Sequence, residues 1–430
     1  MDPRVSAAEL GMGPSGASAG RAPRHATVAS ARAQLPARLR RPRRVTGPDR
    51  WPSDYFAARE RFVALARAAG ARLERRPVRA VGPGGEALSV DVAALGAPEP
   101  ERLVVLTSGV HGVEGFLGAR VQHRALERLA HDGLPDRVGV ALVHAVNPWG
   151  FAHLRRVDED NVDVNRNFPD PSAPPPEPHP RYAELDAVIN PRGAPRAGDE
   201  ARFWLDAARL IARDRGIASL AGAIARGQNA FPRGLFFGGT AVGESCALLQ
   251  DVLRGLAAGA GRVTHLDVHS GLGPSAAVTL IGNAGGGGGD GVDGGTGHGA
   301  GGGDPERRAS RLAARYRRPV RLDDASDNAY DARGTLCRWY RRAMADRPWT
   351  YLCVEVGTVG PLGVLSALRR ENRAHHWTAA GSAPYARTKR ALLDVFAPPS
   401  RRWRERSVAG ALEVFGRAVE LPSDGDRDSA

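Results

Sequence analysis

The 430-residue sequence predicts a soluble α/β domain, and three observations carry that prediction. Short aliphatic and β-branched runs read as strands buried on both faces, helical stretches separate them, and polar chemistry stands where those runs end.

Residues 1–50 come first and do not belong to the fold. They carry ten arginines against Asp2, Glu9 and Asp49 in a background of Gly, Ala, Pro and Ser without a sustained period. The expectation is a disordered basic N-terminal extension, with a folded domain spanning 51–420. Phe56, Phe62, Leu65 and Ala66 share one helical stripe that weakens at Gly70. Short strands are predicted around 79–81 and 88–92. The clearest strand is RLVVLTSG at 102–109, which runs directly into HGVEGFLGARVQHRALERLA, helical in spacing from about Glu114 to Ala130. A second buried strand is predicted at 138–143.

Prolines interrupt regular structure over 169–180, whereas 199–225 suits one long or two shorter helices. Residues 227–239 set aromatics among glycines, as in a loop that packs over something. A helix at 245–258 precedes a strand at 263–268, the segment HSGLGPS and another strand at 277–281. Residues 284–303 are mostly glycine and are expected to be a flexible insertion, since they offer too few side chains to repay ordering. Helix follows at 305–317, strand at 350–356, and helices at 361–375 and 385–396. Residues 421–430 form a polar C-terminal tail.

The formal charge of +13 hints at a polyanion partner, but its makeup weakens that hint. Lys389 is the only lysine among 60 basic residues, a bias that a GC-rich coding sequence produces unaided. No zinc finger or aromatic-interleaved basic strand accompanies the charge, so no obligate nucleic acid is expected. Cys246, Cys337 and Cys353 are isolated, which favours a reducing, cytoplasmic setting. No run of 18 apolar residues exists to cross a membrane, so no membrane partner is expected. The sequence leaves oligomeric state open.

His111 and Glu114 lie three residues apart just after the strand 102–109, where a turn can aim both into a crevice at the sheet's carboxyl edge. His269 follows the strand RVTHLDV in the same way. Two imidazoles and one carboxylate suit one zinc ion and leave a coordination position for water. Asp267 alternates with His269 and either accepts its second imidazole hydrogen or caps a turn. In NVDVNRNF (161–168), Arg166 can present a fork to a terminal carboxylate, with Asn165 donating beside it. One of Arg155 and Arg156 could stabilise a developing oxyanion, and neighbours in an extended segment should not both face the site. Glu355, inside YLCVEVGTVG, is a carboxylate at a buried strand end and a candidate general base. Tyr330 and Tyr340 are weaker candidates for a hydrogen bond to substrate.

Taken in order, TSGVHGVEGF, NPWGF, NVDVNRNF, HSGLG and CVEVGT resemble the zinc carboxypeptidase superfamily. The closer likeness is to its DUF2817 branch, related also to the deacylases of the aspartoacylase and succinylglutamate desuccinylase type, and it covers about residues 52–416. The resemblance implies a single domain with a mixed, largely parallel sheet flanked by helices. It further implies zinc on His111, Glu114 and His269, Glu355 as general acid and base, and Asn165 and Arg166 as receivers of a substrate carboxylate. The arginine at 155 or 156 would polarise the scissile carbonyl, and Tyr330 is the candidate for the catalytic tyrosine. The function expected is zinc-dependent hydrolysis of an amide in a carboxylate-bearing substrate, a peptide or an N-acyl amino acid. The alternative is a catalytically inactive zinc-bearing protein that binds peptides or small carboxylates.

Overall fold

A computed structural model of the chain describes residues 51–171, 180–214, 216–286, 305–323 and 332–420. The N-terminal extension, Tyr330, the glycine tract beyond Gly286 and the last ten residues lie outside the described residues. In chain order the strands are β1 (Arg72–Val81), β2 (Ala87–Gly96), β3 (Arg102–Ser108), β4 (Val138–His144), β5 (Arg262–Leu272), β6 (Val278–Gly285), β7 (Val320–Leu322) and β8 (Trp349–Val359). They form one sheet in the order β1-β2-β4-β3-β5-β8-β6-β7. The centre, β4-β3-β5-β8, is parallel throughout, and antiparallel pairs appear on both sides of it, so the sheet is mixed.

The helices are α1 (Tyr55–Ala68), α2 (Gly115–Asp132), α3 (Pro148–Ala152), α4 (Pro180–Ile189), α5 (Asp199–Arg213), α6 (Ile217–Ala225), α7 (Glu244–Ala257), α8 (Pro305–Tyr316), α9 (Leu336–Ala343), α10 (Pro361–Trp377), α11 (Ala383–Phe396) and α12 (Arg401–Glu420). Apolar residues of α1, α2, α8 and α12 pack on one face of the sheet, where Phe62, Val121, Leu312 and Phe415 meet Val104, Leu266 and Val354. Those of α7 and α9 cover the other face, where Leu249, Leu253 and Trp339 meet Val105, Val143 and Val263. Both faces of β3, β4 and β5 are thereby buried, which is why their sequences read as continuous aliphatic runs rather than as alternations. No described helix is long and apolar enough to cross a membrane.

Three differences from the sequence expectation have physical causes. The strand predicted at 79–81 is the end of the ten-residue β1, and the one at 88–92 lies toward the start of the ten-residue β2. Edge strand β1 carries arginines and Pro77 along its length, which suits an edge that must not pair further but hides the strand pattern. Strand β6 continues through Ala284 and Gly285, into the start of the expected glycine insertion, because β8 pairs with it there. Helix α12 was not anticipated, although Trp403, Ser407, Ala411, Val414 and Ala418 form a buried stripe at helical spacing. Each large apolar side chain it buries contributes about 1.5–3 kcal/mol.

Candidate metal and catalytic site

Strand β3 ends at Ser108, and Gly109 follows with φ +69°, a conformation that glycine adopts without strain. The chain then makes a short 3-10 turn over Gly112–Glu114 before entering α2. Gly112 lies so close to the main chain of Gly150 that a Cβ there would sit 2.1 Å from its carbonyl carbon. Two of the sequence blocks, HGVEGF and NPWGF, are therefore packed backbone to backbone. Asn147 caps α3 by accepting from the Gly150 N–H. The turn is further tied to the arginine loop by Gly112 N–H to Arg156 C=O and Val113 N–H to Arg155 C=O.

These constraints aim His111 and Glu114 at His269. His269 lies within β5 rather than beyond its end, because β8 pairs with β5 through Leu272. His111 Nδ1 is 3.0 Å from Glu114 Oε1, His269 Nδ1 is 2.9 Å from Glu114 Oε2, and the two Nδ1 atoms are 3.1 Å apart. All three side chains are buried. On the far side of each ring, His111 Nε2 donates to Asp163 Oδ1 at 3.1 Å and His269 Nε2 donates to Asp267 Oδ2 at 2.7 Å. With the hydrogens held on Nε2, both Nδ1 atoms present lone pairs to each other and to a carboxylate. A cation at their common point, or a proton on one Nδ1, would hold such a group together. Donors about 2.1 Å from a tetrahedral zinc lie roughly 3.3 Å from one another, close to these separations.

Burial works against the charge on Glu114, yet His111 and His269 outweigh it and hold the carboxyl well below its usual range. Burial likewise opposes charge on His269, while Asp267 and Glu114 push its pKa well above the ordinary value, so without a cation a proton sits on Nδ1 and is donated to Glu114. Asp163 is held low against its burial by Arg156 and His111. Glu114 and Asp163 both bond to Arg156, whereas Asp267 bonds to His269, Thr107 and Tyr351.

Glu355 stands on β8 in register with His269 on β5, an adjacency that sequence spacing could not reveal. Its Oε1 accepts the Leu272 N–H at 2.8 Å. Burial, then the nearby Glu114, push its pKa up to about 7, a value suited to exchanging protons near neutrality. Cys353 and Glu355 also group with His269. Burial raises the Cys353 thiol well above its ordinary pKa, which disfavours the thiolate a metal would need.

The two candidate arginines point apart. Arg156 bonds to Asp163 Oδ2 at 3.0 Å and to Glu114 Oε1 at 3.2 Å, so it faces the cluster. Arg155 does not. Its Nε donates to Glu371 Oε1 at 3.0 Å, and its Nη2 donates to Asn161 and Asn372, with the side chain 1% exposed. The expectation that Arg155 could reach the reacting carbonyl is corrected by this geometry, for the guanidinium is caged elsewhere.

Arg166 and Asn165 sit close by but already hold main chain. Arg166 Nε and Nη2 donate to the Ala225 carbonyl at the end of α6, and Nη1 donates to the Asn165 carbonyl. Asn165 Oδ1 accepts the Leu336 N–H at the start of α9. Tyr340 is fully buried among Trp349, Tyr351 and His265, a core position. His376 approaches Asn161, and burial pushes His375 and His376 down to about 3 and about 4.

Several participants escaped the sequence reading. Asp163, inside NVDVNRNF, is the partner of His111 and also caps the 3-10 turn over Val164–Arg166. Thr107 donates to Asp267 Oδ1 at 2.6 Å, which leaves His265 Nε2 as donor to Thr107 at 2.8 Å. Phe236, from the aromatic and glycine-rich loop, lies beneath both Arg156 and Arg166, with ring centroids 5.2 and 5.7 Å from the guanidinium carbons. Its φ of +55° is a left-handed conformation that costs a non-glycine residue roughly 1 to 3 kcal/mol.

Over residues 51–410 the chain matches the family described as "Protein of unknown function (DUF2817)". No curated protein matches it. Among solved structures it is similar to a carboxypeptidase A from Helicoverpa armigera, at 12% identity and a TM-score of 0.43, covering 86% of this chain and 74% of that one. A metallo-carboxypeptidase from Burkholderia cenocepacia is similar at 13% identity and a TM-score of 0.40, covering 85% and 69%. The succinylglutamate desuccinylase from Chromobacterium violaceum is similar at 16% identity and a TM-score of 0.33, covering 79% and 77%. Likenesses at this level carry nothing about activity, which has to be read from the cluster.

Proposed function

This chain belongs to the DUF2817 family, and we propose that it is a zinc-dependent amidohydrolase acting on a carboxylate-bearing amide, as a carboxypeptidase or an N-acyl amino acid deacylase. The observation that supports this most is the meeting of two imidazole nitrogens and the Glu114 carboxylate at 2.9–3.1 Å, with Glu355 in register across the strand pair. His111, Glu114 and His269 would hold one zinc ion. A zinc ion there lowers the pKa of water and polarises a carbonyl oxygen.

The chain's own residues do the rest. Asp163 and Asp267 keep hydrogen on Nε2 of each imidazole, so that Nδ1 stays a donor of its lone pair. Glu355 takes a proton from the attacking water and delivers it to the departing nitrogen. Arg156 sets a positive charge beside the carbonyl oxygen on which negative charge develops. Arg166 has five N–H donors and uses three on main-chain carbonyls, leaving one on each terminal nitrogen for a substrate carboxylate, with Asn165 beside it.

The test is zinc content by elemental mass spectrometry on protein purified without a metal-binding tag. About one zinc per chain is expected, lost in His111→Ala. Glu355→Gln should keep the zinc while turnover falls by about 10²- to 10⁴-fold. Zinc retained with no hydrolysis of peptides or N-acyl amino acids by the wild type would favour the inactive binding protein. Absence of zinc after reconstitution would overturn the metal site.

A further inference from the structure

Resting on the amidohydrolase reading, we infer that the substrate carries an aliphatic or aromatic group, bound in an apolar recess beside the donor cluster between α6 and α10. The recess is open to solvent on one side and holds a cavity of about 90 Å³. Ile224 of α6 and Val364, Leu365 and Leu368 of α10 form its walls, and none of the described residues that line it is charged.

Three other lining residues join it to the polar cluster. Leu272 offers its N–H to Glu355, Ala225 offers its carbonyl to Arg166, and the Phe236 ring lies under Arg156 and Arg166. The recess therefore begins where the charged groups end. Phe236 is held in its left-handed conformation from both sides, by Gln228 N–H to its own carbonyl at 3.1 Å and by Asp163 N–H to the Phe237 carbonyl at 2.7 Å. Glycine would take that conformation without strain, so the position retains an aromatic wall at a cost.

An apolar group entering this space leaves water and meets only carbon. A second carboxylate, as in a succinyl or aspartyl group, would lose its hydration there and find no cation among the lining residues. The chemistry thus selects amides with one carboxylate near the arginines and an apolar group in the recess.

The experiment compares kcat/KM of the zinc-loaded full chain in two substrate series. One varies the acyl group on a fixed amino acid through acetyl, succinyl and 4-phenylbutyryl; the other varies the amino-acid side chain from alanine to phenylalanine under a fixed acetyl group. In at least one series the apolar substrate should exceed the small one by about tenfold or more, and the succinyl compound should be poorest. Val364→Trp and Leu365→Asp should bring the apolar-to-small ratio close to one. A ratio measured within one preparation does not depend on the fraction folded. Flat series, a preferred succinyl group, or an unchanged ratio in both variants would overturn the recess. Should no amide be hydrolysed, the hydrolase reading falls by itself, and calorimetry then decides the recess. Tighter binding of 4-phenylbutyrylglycine than of acetylglycine, abolished by Leu365→Asp, supports it; equal affinities overturn it.

Discussion

Arg155 and Arg156 are neighbours in sequence, yet their guanidiniums enter two different buried clusters. Arg155 joins Glu371, Lys389, Asn161 and Asn372, where two cations and two amides surround one carboxylate. Burial works against charge on Glu371, but Arg155 and Lys389 outweigh it and hold the carboxyl at about 2. Burial also presses the Lys389 ammonium down to about 8, with Glu371 opposing that change and Arg155 adding to it. Both cations bond to the one carboxylate, which leaves a single positive charge in excess and Arg155 Nη1 buried without a hydrogen-bond partner among the described residues. Arg156 instead joins Glu114 and Asp163, beside which the Nδ1 atoms of His111 and His269 converge to 3.1 Å. Ion pairs formed within the chain hold the loop in shape, whereas donors that converge on a common point suit a partner from outside.

The largest effect that would break this comparison is loss of the metal. Thermal unfolding of wild type should shift upward with added zinc and downward with a chelator, and His269→Ala should respond to neither. Equal responses of the two proteins would mean that the histidine cluster needs no cation. Next comes Glu371→Ala, which leaves Arg155 and Lys389 buried without their anion. Urea unfolding should show a loss of about 3–5 kcal/mol, with zinc content of the folded fraction unchanged. A loss of zinc with little loss of stability would exchange the roles assigned to the two clusters.

Asp163→Asn should act more mildly, since it weakens the support of one imidazole without removing a donor. A competitive chelator titration should report zinc affinity lower by about 10- to 100-fold. The smallest effect concerns pH. The Glu371 carboxyl is lowered relative to its ordinary value of about 4.3, so its contribution is complete above that pH and is lost as pH falls through about 2. Urea midpoints at pH 5 and pH 3 should therefore drop further in wild type than in Glu371→Gln. Equal drops would show that this carboxylate does not hold its charge more tightly in the folded chain.

Much of the architecture was legible because burial on both sheet faces leaves a strong trace. RLVVLTS and the run around 350–356 could hardly be anything but inner strands. The two-helix alternative for 199–225 is the one observed, as α5 and α6, with Gly216 between them. Edge strand β1 and helix α12 left fainter traces, the first because arginines interrupt it and the second because its stripe includes Ser407 and two glycines flank it. Composition also held an unread clue. In a chain that uses arginine almost everywhere, the lone Lys389 sits buried against Glu371, where a compact ammonium fits and a broad guanidinium would need more room.

The sequence by itself determined the inner strands, most of the long helices between them and the kinds of donor that stand at strand ends, because hydrophobic periodicity and residue chemistry are local properties. Only the tertiary structure decided that Glu355 stands in register with His269, that Asp163 backs His111, and that Arg156 rather than Arg155 faces the cluster. Register across parallel strands and the direction of a loop arginine depend on which distant surfaces pack together. His111 and His269 are 158 residues apart in the chain, and only the closing of the sheet between β3 and β5 brings their nitrogens to 3.1 Å.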